Sequence, residues 1–241
     1  MSIKEEQLIF FTGIPGSAWS RTATLLGYSP LLNLNDSDRS KKREYYITRN
    51  TSWAGLINHQ GSFFGSKMEF GEGWEYPAER GLTKEAIMND IHEAFQVHND
   101  QNYLIKSHSI AQSLDWWIEN FPNSRFVFTF RDYERSIDWW LNGGGFDITY
   151  PKYDWYEDEE RMRHKAKLQQ WNTKRFIHEN NLVCYSLTSG FLTEVLQIDF
   201  NRDPGISDHY RAINAMPNNG TDEGIPNFDV QVAFYGFEDI L

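Results

Sequence analysis

The sequence predicts an α/β domain in which helices cover both faces of a central parallel sheet. Four short and almost continuously apolar runs alternate with longer helical patterns, as expected for βαβ units whose strands are buried on both faces. Capping and breaking residues stand at helix boundaries, such as Thr83 at a start and Pro122 just beyond an end. The length of 241 residues fits one domain, which we assign to residues 1–241.

The predicted elements alternate along the chain. Apolar runs predict strands at residues 7–12, 102–107, 125–131 and 182–187. The helical patterns between and after them predict helices at residues 18–27, 83–98, 111–120, 132–141, 156–179 and 189–197. In a sheet of this kind the ligand binds beyond the carboxyl ends of the strands. Residues that follow the predicted strands are therefore the first candidates for a functional site.

Three segments depart from this alternation. Residues 29–80 hold the basic stretch Arg39–Arg43 and a stretch rich in glycine and aromatic residues at 61–76. Residues 142–158 read as a glycine-rich loop with aromatic side chains, and the tail from residue 201 is polar with little periodicity. Long loops in a compact domain are often lids or substrate-binding segments. The alternative, solvated loops without a chemical role, is equally open for residues 29–60 and the tail.

Composition excludes several classes of function. The net charge of −11 argues against a broad nucleic-acid surface, although a local pocket can still bind a small anion. No apolar run is long enough to cross a bilayer, and the N-terminus is too polar for a secretory signal. The single cysteine, Cys184, lies in an apolar run, which predicts a buried thiol. These features predict a cytoplasmic protein without a membrane or nucleic-acid partner.

The turn after the first predicted strand has the layout of an anion-binding loop. The apolar run ends in Gly13, and small residues through Ser20 precede a predicted helix. Such a turn directs backbone N–H groups and the positive end of a helix dipole at a phosphate or sulfate. The loop lacks the Gly-Lys-Ser/Thr ending of a nucleoside triphosphatase. Glycine and proline placed only for the geometry of the turn are the alternative.

Charged side chains lie at or just after the ends of the next two predicted strands. Lys106 and His108 are two residues apart, so they share a face if the strand continues through them. A histidine there can act as a general base while the lysine stabilises developing negative charge. The alternative role for His108 is to cap the next helix. Arg131 ends the following strand and is suited to phosphate recognition, unless it pairs with Asp132 or Glu134.

Together these motifs resemble the sulfotransferase family, whose members have a P-loop-like α/β fold. The resemblance covers residues 7–27 and 102–140 well. Lys106-Ser107-His108 matches the family's Lys-Thr-His, and Arg131-Asp132 matches the start of its 3′-phosphate motif. Two positions depart from the family pattern: Gly16 replaces the loop cation, and Trp139 replaces a serine.

The resemblance implies a reaction and a role for each matched residue. A sulfuryl group would pass from 3′-phosphoadenosine 5′-phosphosulfate to a hydroxyl or amine of a small-molecule or glycan acceptor, without a metal. His108 would be the general base, and Lys106 would stabilise the leaving phosphate. Arg131 and Ser136 would hold the 3′-phosphate, and Arg21 or Lys106 would replace the missing cation. The 5′-phosphosulfate would lie against the loop residues Gly13, Pro15, Gly16, Ser17, Ala18, Trp19 and Ser20, followed by Arg21.

The acceptor is expected to bind under the two glycine- and aromatic-rich segments. We predict that residues 61–76 and 142–158 roof the cleft beside His108, with aromatic rings available to stack on a sugar or an aromatic acceptor. The candidate rings are Phe146, Tyr150, Tyr153 and Trp155. Two other functions stay open on the sequence. They are a P-loop phosphoryl transferase such as a small kinase, and a non-catalytic binding protein that kept the fold and lost the donor site.

Overall fold

Strands from the whole length of the chain form one mixed sheet in the computed structural model. The structure describes residues 2–35, 62–65, 68–98, 100–142, 153–214 and 230–241. The strands of these residues are β1 (Leu8–Thr12), β2 (Leu34–Asn35), β3 (Ser62–Phe63), β4 (Asn102–Lys106), β5 (Arg125–Phe130), β6 (Cys184–Ser186) and β7 (Gln231–Tyr235). Their order in the sheet is β2-β4-β1-β5-β7-β6, and β3 also pairs with the outer edge of β4.

The sheet is parallel at its centre and antiparallel at one side. Strand β1 lies between β4 and β5, parallel to both. The short strands β2 and β3 pair in parallel with successive parts of β4. Strand β7 runs antiparallel to both of its neighbours, β5 and β6. The four predicted strands, β1, β4, β5 and β6, therefore run in one direction as expected, but the unpredicted β7 runs against them, so the sheet is mixed and not parallel throughout. The polar tail supplies a strand that inserts between two strands of the opposite direction.

Helices cover the sheet on both faces, as predicted. They are α1 (Trp19–Gly27), α2 (Lys84–Ala94), α3 (Leu114–Asn120), α4 (Tyr133–Asn142), α5 (Glu159–Glu179) and α6 (Pro204–Asn214). Alternate residues of β1 face opposite ways, as the pleat of a strand requires. Ile9 and Phe11 pack in a core with α1 and α6. Leu8 and Phe10 pack in a second core with α2, α3 and the end of α5. The result is a three-layer α/β/α arrangement.

Four helix predictions differ from the structure in extent or type. The helix predicted at 156–179 begins at Glu159, after a short 3-10 helix at Asp154–Glu157. Helix α2 begins after its cap Thr83, as predicted, but ends at Ala94 because Phe95 is extended. The predicted helix at 111–120 is divided into a 3-10 helix, Ser109–Gln112, and α3. The predicted helix at 189–197 is a single π-helical turn.

Three sequence predictions concern Cys184, the loop residues and membrane-spanning helices. Cys184 is exposed, so the prediction of a buried thiol is wrong. It lies on β6, which pairs with β7 alone among the described strands. The basic stretch Arg39–Arg43 and the loop residues Phe146 and Tyr150 lie outside the described residues. None of the described helices is long and apolar enough to span a membrane.

Candidate functional site

The candidate residues meet at one edge of the sheet because three neighbouring parallel strands end there. Phe11 of β1 stands in register with Lys106 of β4 and with Val127 of β5. The chain leaves these strands into the 13–18 loop, into the Lys-Ser-His segment and into Arg131. Carboxyl ends of adjacent parallel strands are the usual place for a ligand in such a sheet.

The loop from Gly13 to Ala18 is a tight turn that ends at the start of α1. The N–H of Ser17 donates to the carbonyl of Ile14 at 3.2 Å, and its hydroxyl donates to the same carbonyl at 2.7 Å. Ala18 adopts a left-handed conformation with φ of 63° and precedes the helix without providing a side-chain cap. The first N–H groups of a helix have no partner within the helix. They are therefore the natural donors to an anion at this position.

Two positions of this loop require glycine, because a different neighbouring residue occupies the space of a side chain at each. A Cβ atom on Gly13 would lie 2.5 Å from the carbonyl oxygen of Thr129 in β5. A Cβ atom on Gly16, whose φ is +78°, would lie 1.8 Å from the carbonyl oxygen of Ser136 in α4. The position that holds a cation in the sulfotransferase motif thus has no room for a side chain. The loop is packed against the main chain of α4 at that point.

His108 is held between the loop and the aromatic rings around it. Its Nδ1 atom forms a hydrogen bond with the carbonyl oxygen of Gly13. Its ring stacks on Trp19, with centroids 4.3 Å apart, and meets Phe63 edge-on at 5.8 Å. His108 precedes the 3-10 helix but its side chain forms no capping hydrogen bond, so the helix-cap alternative is wrong.

Burial determines the charge of His108, and its hydrogen bond to Gly13 determines the tautomer. The side chain is 5% exposed, and the loss of hydration lowers its pKa from 6.5 to about 4, against the raising effect of the bond to Gly13. The ring is therefore neutral near pH 7. Because a carbonyl oxygen only accepts hydrogen bonds, Nδ1 carries the proton and Nε2 keeps its lone pair. This is the form that a general base requires.

Lys106 lies against the same indole as His108. Its side chain is fully buried, and its Nζ atom lies 5.6 Å from the centroid of Trp19. A buried ammonium beside an aromatic face is stabilised by the negative potential of the ring. Trp19 therefore brings the lysine and the histidine together, and it also stacks on Phe11 of β1 at 5.9 Å.

Arg131 and Ser136 lie on the other side of the loop. Arg131 is buried, with 3% of its surface exposed. Ser136 is buried, and its hydroxyl donates to the carbonyl of Asp132 at 2.9 Å. The carboxylate of Asp132 accepts from the N–H of Arg135 at 3.0 Å and so caps the start of α4. Glu134 forms an ion pair with Arg163 of α5 at 3.3 Å.

The remaining loop residues differ in what they contact. Pro15 is buried, and Ser20 is half-buried with its carbonyl accepting from the Thr24 hydroxyl at 3.1 Å. Arg21 is 9% exposed, and burial lowers its pKa. Burial and, less strongly, the charge of Arg21 lower the pKa of His209, which lies on α6. The Arg21 side chain thus lies close enough to α6 for its charge to affect the pKa of His209.

Described residues of both aromatic segments lie near His108, and the rings of Phe63, Tyr153 and Trp155 are buried. Phe63 touches the His108 ring, and the Tyr153 hydroxyl lies close to those of Ser107 and Ser109. Burial raises the pKa of Tyr153 above its ordinary value. The Trp155 Nε1 atom donates to the Glu75 carboxylate at 3.1 Å, which joins the two segments. Tyr153 and Trp155 belong to one buried apolar cluster, whose other members are Ile14, Ile137, Trp140, Tyr156, Met162 and Ala166.

Sequence reasoning missed two glutamines of α5. Gln169 Nε2 donates to the carbonyl of His108 at 3.0 Å, and Gln170 Nε2 donates to the carbonyl of Arg131 at 2.9 Å. Both glutamines are buried. Amides at inward positions of a long charged helix are the one feature of the sequence that points to them, because buried polar groups need partners.

Metal-ligating side chains do not cluster in the described part of the chain. It holds no group of three or more histidine, cysteine, aspartate or glutamate side chains that would bind a metal ion. In comparisons with known proteins, no protein-family model matches the chain. No curated protein matches it either.

Proposed function

We propose that the protein is a sulfotransferase that uses 3′-phosphoadenosine 5′-phosphosulfate and has His108 as its general base. The observation that carries the proposal is the cluster around Trp19. One indole contacts a neutral histidine, whose Nδ1 is bonded to Gly13, and a buried ammonium, at the start of a helix whose N-cap residue, Ala18, provides no side-chain cap. A base, a cation and an anion-binding helix N-terminus are the three parts that transfer of an anionic group requires.

Orphaned polar atoms near the loop fit an anionic donor. The hydroxyls of Thr12 and Thr22, before and after the loop, are buried and have no hydrogen-bond partner among the described residues. Arg131, Lys106 and Arg21 place buried positive charge around the same loop in a chain of net charge −11. Buried hydroxyls are costly unless a hydrogen-bond partner compensates them. A bound donor would supply a sulfuryl group already activated by its phosphate.

In the proposed reaction, different side chains would act on the acceptor and on the donor. His108 would take the proton of the acceptor hydroxyl at Nε2, while its Nδ1–H stays on the Gly13 carbonyl and stabilises the imidazolium. Lys106 would offset negative charge that develops on the leaving phosphate, an effect strengthened by its burial. Arg131 would bind the 3′-phosphate from the other side of the loop. The backbone at the start of α1 would hold the 5′ end.

A non-catalytic binding protein on this fold is the second candidate, and one observation favours it. Gly16 abuts the main chain of Ser136, so the family's loop cation cannot be accommodated, and Trp19 and Phe63 enclose the His108 ring. A protein of this kind would bind neither donor nor product. A phosphoryl transferase would instead bind ATP with magnesium.

The proposal is tested by binding of adenosine 3′,5′-bisphosphate, the product of the donor. Isothermal titration or a thermal shift should show binding by the wild-type chain, and no comparable effect with ATP and magnesium. Arg131→Ala should weaken binding, whereas Arg135→Ala should not, because Arg135 is exposed on α4. A charge-assisted contact contributes roughly 1.5–3 kcal/mol, which is about 10- to 150-fold in affinity.

Three results would overturn the proposal. Absence of bisphosphate binding would favour the non-catalytic protein, and preference for ATP with magnesium would favour the phosphoryl transferase. Equal losses in Arg131→Ala and Arg135→Ala would mean that the 3′-phosphate site is misassigned.

A further inference from the structure

Three side-chain amides of helix α5 donate hydrogen bonds to main-chain carbonyls that follow strands β4 and β5. Gln169 donates to the carbonyl of His108, and Gln170 donates to that of Arg131. Two residues beyond Gln170, Asn172 donates to the carbonyls of Ala111 at 2.9 Å and Gln112 at 3.1 Å. These bonds differ in what they hold: the first two reach residues of the candidate site, and the third does not.

The two glutamines are buried although their side-chain amides are polar. Gln169 has no exposed surface and Gln170 is 5% exposed. The Oε1 atom of each is buried without a hydrogen-bond partner among the described residues, although each amide nitrogen is bonded. Burying a half-satisfied amide is unfavourable compared with an apolar side chain of the same size. Most other inward residues of α5, such as Met162 and Phe176, are apolar, and the buried hydroxyl of Thr173 is bonded to the Gln169 carbonyl.

The carbonyls that the glutamines hold lie just beyond the sheet. His108 has helical φ and ψ angles of −67° and −27°, so it has left the extended path of β4. Arg131 likewise follows the last residue of β5. Beyond a strand end the sheet no longer determines the orientation of a peptide group. A side-chain donor that fixes the peptide also fixes the direction in which the preceding side chain leaves the main chain.

We propose that Gln169 and Gln170 are positioning residues that fix the two halves of the site separately, Gln169 acting on His108 and Gln170 on Arg131. The inference rests on the proposed function for the reaction in which these halves take part. His108 is then held at three points: its carbonyl by Gln169, its Nδ1 by Gly13, and its ring face by Trp19. A displacement of 1 Å in a catalytic group lowers a rate by about 100-fold.

The first experiment needs neither substrate nor activity. Nitrogen-15 NMR of the histidine rings, with His108 assigned from the spectrum of His108→Gln, reports the tautomer and the pKa of His108. The wild-type ring should be the Nδ1–H tautomer. Gln169→Met, which keeps the side-chain volume but removes the donor, should give a mixture of tautomers, because a ring that leaves the Gly13 carbonyl no longer has its proton fixed on Nδ1, and should shift the pKa of His108 away from about 4. Asn172→Leu is the matched control on the same helix and should leave both unchanged.

The second experiment separates the two glutamines by binding and turnover. Gln170→Met should weaken binding of adenosine 3′,5′-bisphosphate by about tenfold, the effect of losing one well-placed contact of about 1.4 kcal/mol. Gln169→Met should leave that affinity within about twofold and lower kcat by roughly 10- to 100-fold, as for a displaced base. Asn172→Leu should change neither quantity. A merely structural role would instead lower both quantities together in both variants.

The outcomes distinguish this inference from the proposed function. If wild-type protein binds no bisphosphate, the proposed function fails, and the His108 ring spectrum alone decides the role of Gln169. An unchanged ring spectrum in Gln169→Met would overturn the positioning role. Should Gln169→Met fail to fold, Gln169→Asn replaces it, because the shorter amide cannot reach the carbonyl and is expected to shift the His108 ring in the same direction.

Discussion

Replacing Gly16 with alanine should destabilise the protein strongly, because the β1–α1 loop is closed against α4. The added Cβ would lie 1.8 Å from the Ser136 carbonyl oxygen and 2.7 Å from its carbonyl carbon. Neither atom belongs to a flexible side chain, so relief requires a shift of the loop or of the helix. The φ of +78° is a second penalty, since alanine avoids this region.

The two penalties can be separated with a matched glycine. Gly81 has a φ of +64°, and no described atom lies within 4 Å of the place that its Cβ would take, so Gly81→Ala carries the conformational cost alone. That cost is about 1–2 kcal/mol. Overpacking adds roughly 1–3 kcal/mol, and a main-chain contact of 1.8 Å belongs at the upper end. Gly16→Ala should therefore cost about 3–5 kcal/mol.

Urea unfolding and thermal melting of both variants measure this difference. For a chain of this size, each kcal/mol lowers Tm by roughly 2–4 °C, so Gly16→Ala should melt about 6–20 °C below wild type. Gly81→Ala should melt about 2–8 °C below wild type, since it carries the conformational cost of about 1–2 kcal/mol alone. If Gly16→Ala cost no more than Gly81→Ala, the loop would not be packed on α4 and the site geometry derived above would be wrong.

Three further predictions concern groups around and outside the site. Burial holds the pKa of His108 at about 4 against 6.5 in the unfolded chain, so stability should fall as pH drops from 6.5 to 4, by roughly 3 kcal/mol; in pH-dependent unfolding this slope should flatten in His108→Gln and persist in His164→Gln, an exposed control. Thr83→Ala should cost about 1 kcal/mol in urea unfolding, because its hydroxyl caps α2 by accepting from Ala86; a loss near zero would contradict the cap. Cys184 should react with one equivalent of a thiol reagent in the native state, more slowly than a free thiol since burial raises its pKa, and a reaction that requires denaturant would contradict its exposure.

The centre of the fold could be predicted because its strands are continuous apolar runs. Strands β1, β4 and β5 are buried almost throughout, and such runs bounded by turns are typical of a parallel sheet. Strands β2 and β3 have two residues each, too few to show any period. Strand β7 comes from a tail whose composition is polar, and its place between β5 and β6 depends on pairings that the local sequence does not encode.

The candidate site could be located from the sequence, but its contacts could not. Lys106 and His108 follow a strand, and that alone places them at the carboxyl edge of the sheet. The bond from His108 to Gly13 and the shared contact with Trp19 join segments about ninety residues apart, so no local pattern reveals them. The need for glycine at position 16 likewise arises from Ser136, on a different helix.

The central claim is that His108 is a general base in sulfuryl transfer, and His108→Ala tests it most directly. Transfer from radiolabelled 3′-phosphoadenosine 5′-phosphosulfate to a panel of phenols, alcohols and oligosaccharides should be measured together with bisphosphate affinity and Tm on the same sample. The rate per folded molecule should fall by about 10²–10⁴-fold while bisphosphate affinity is kept, because the base contacts the acceptor. Lys106→Ala should lower both. A His108→Ala protein that is destabilised but fully active would contradict the account.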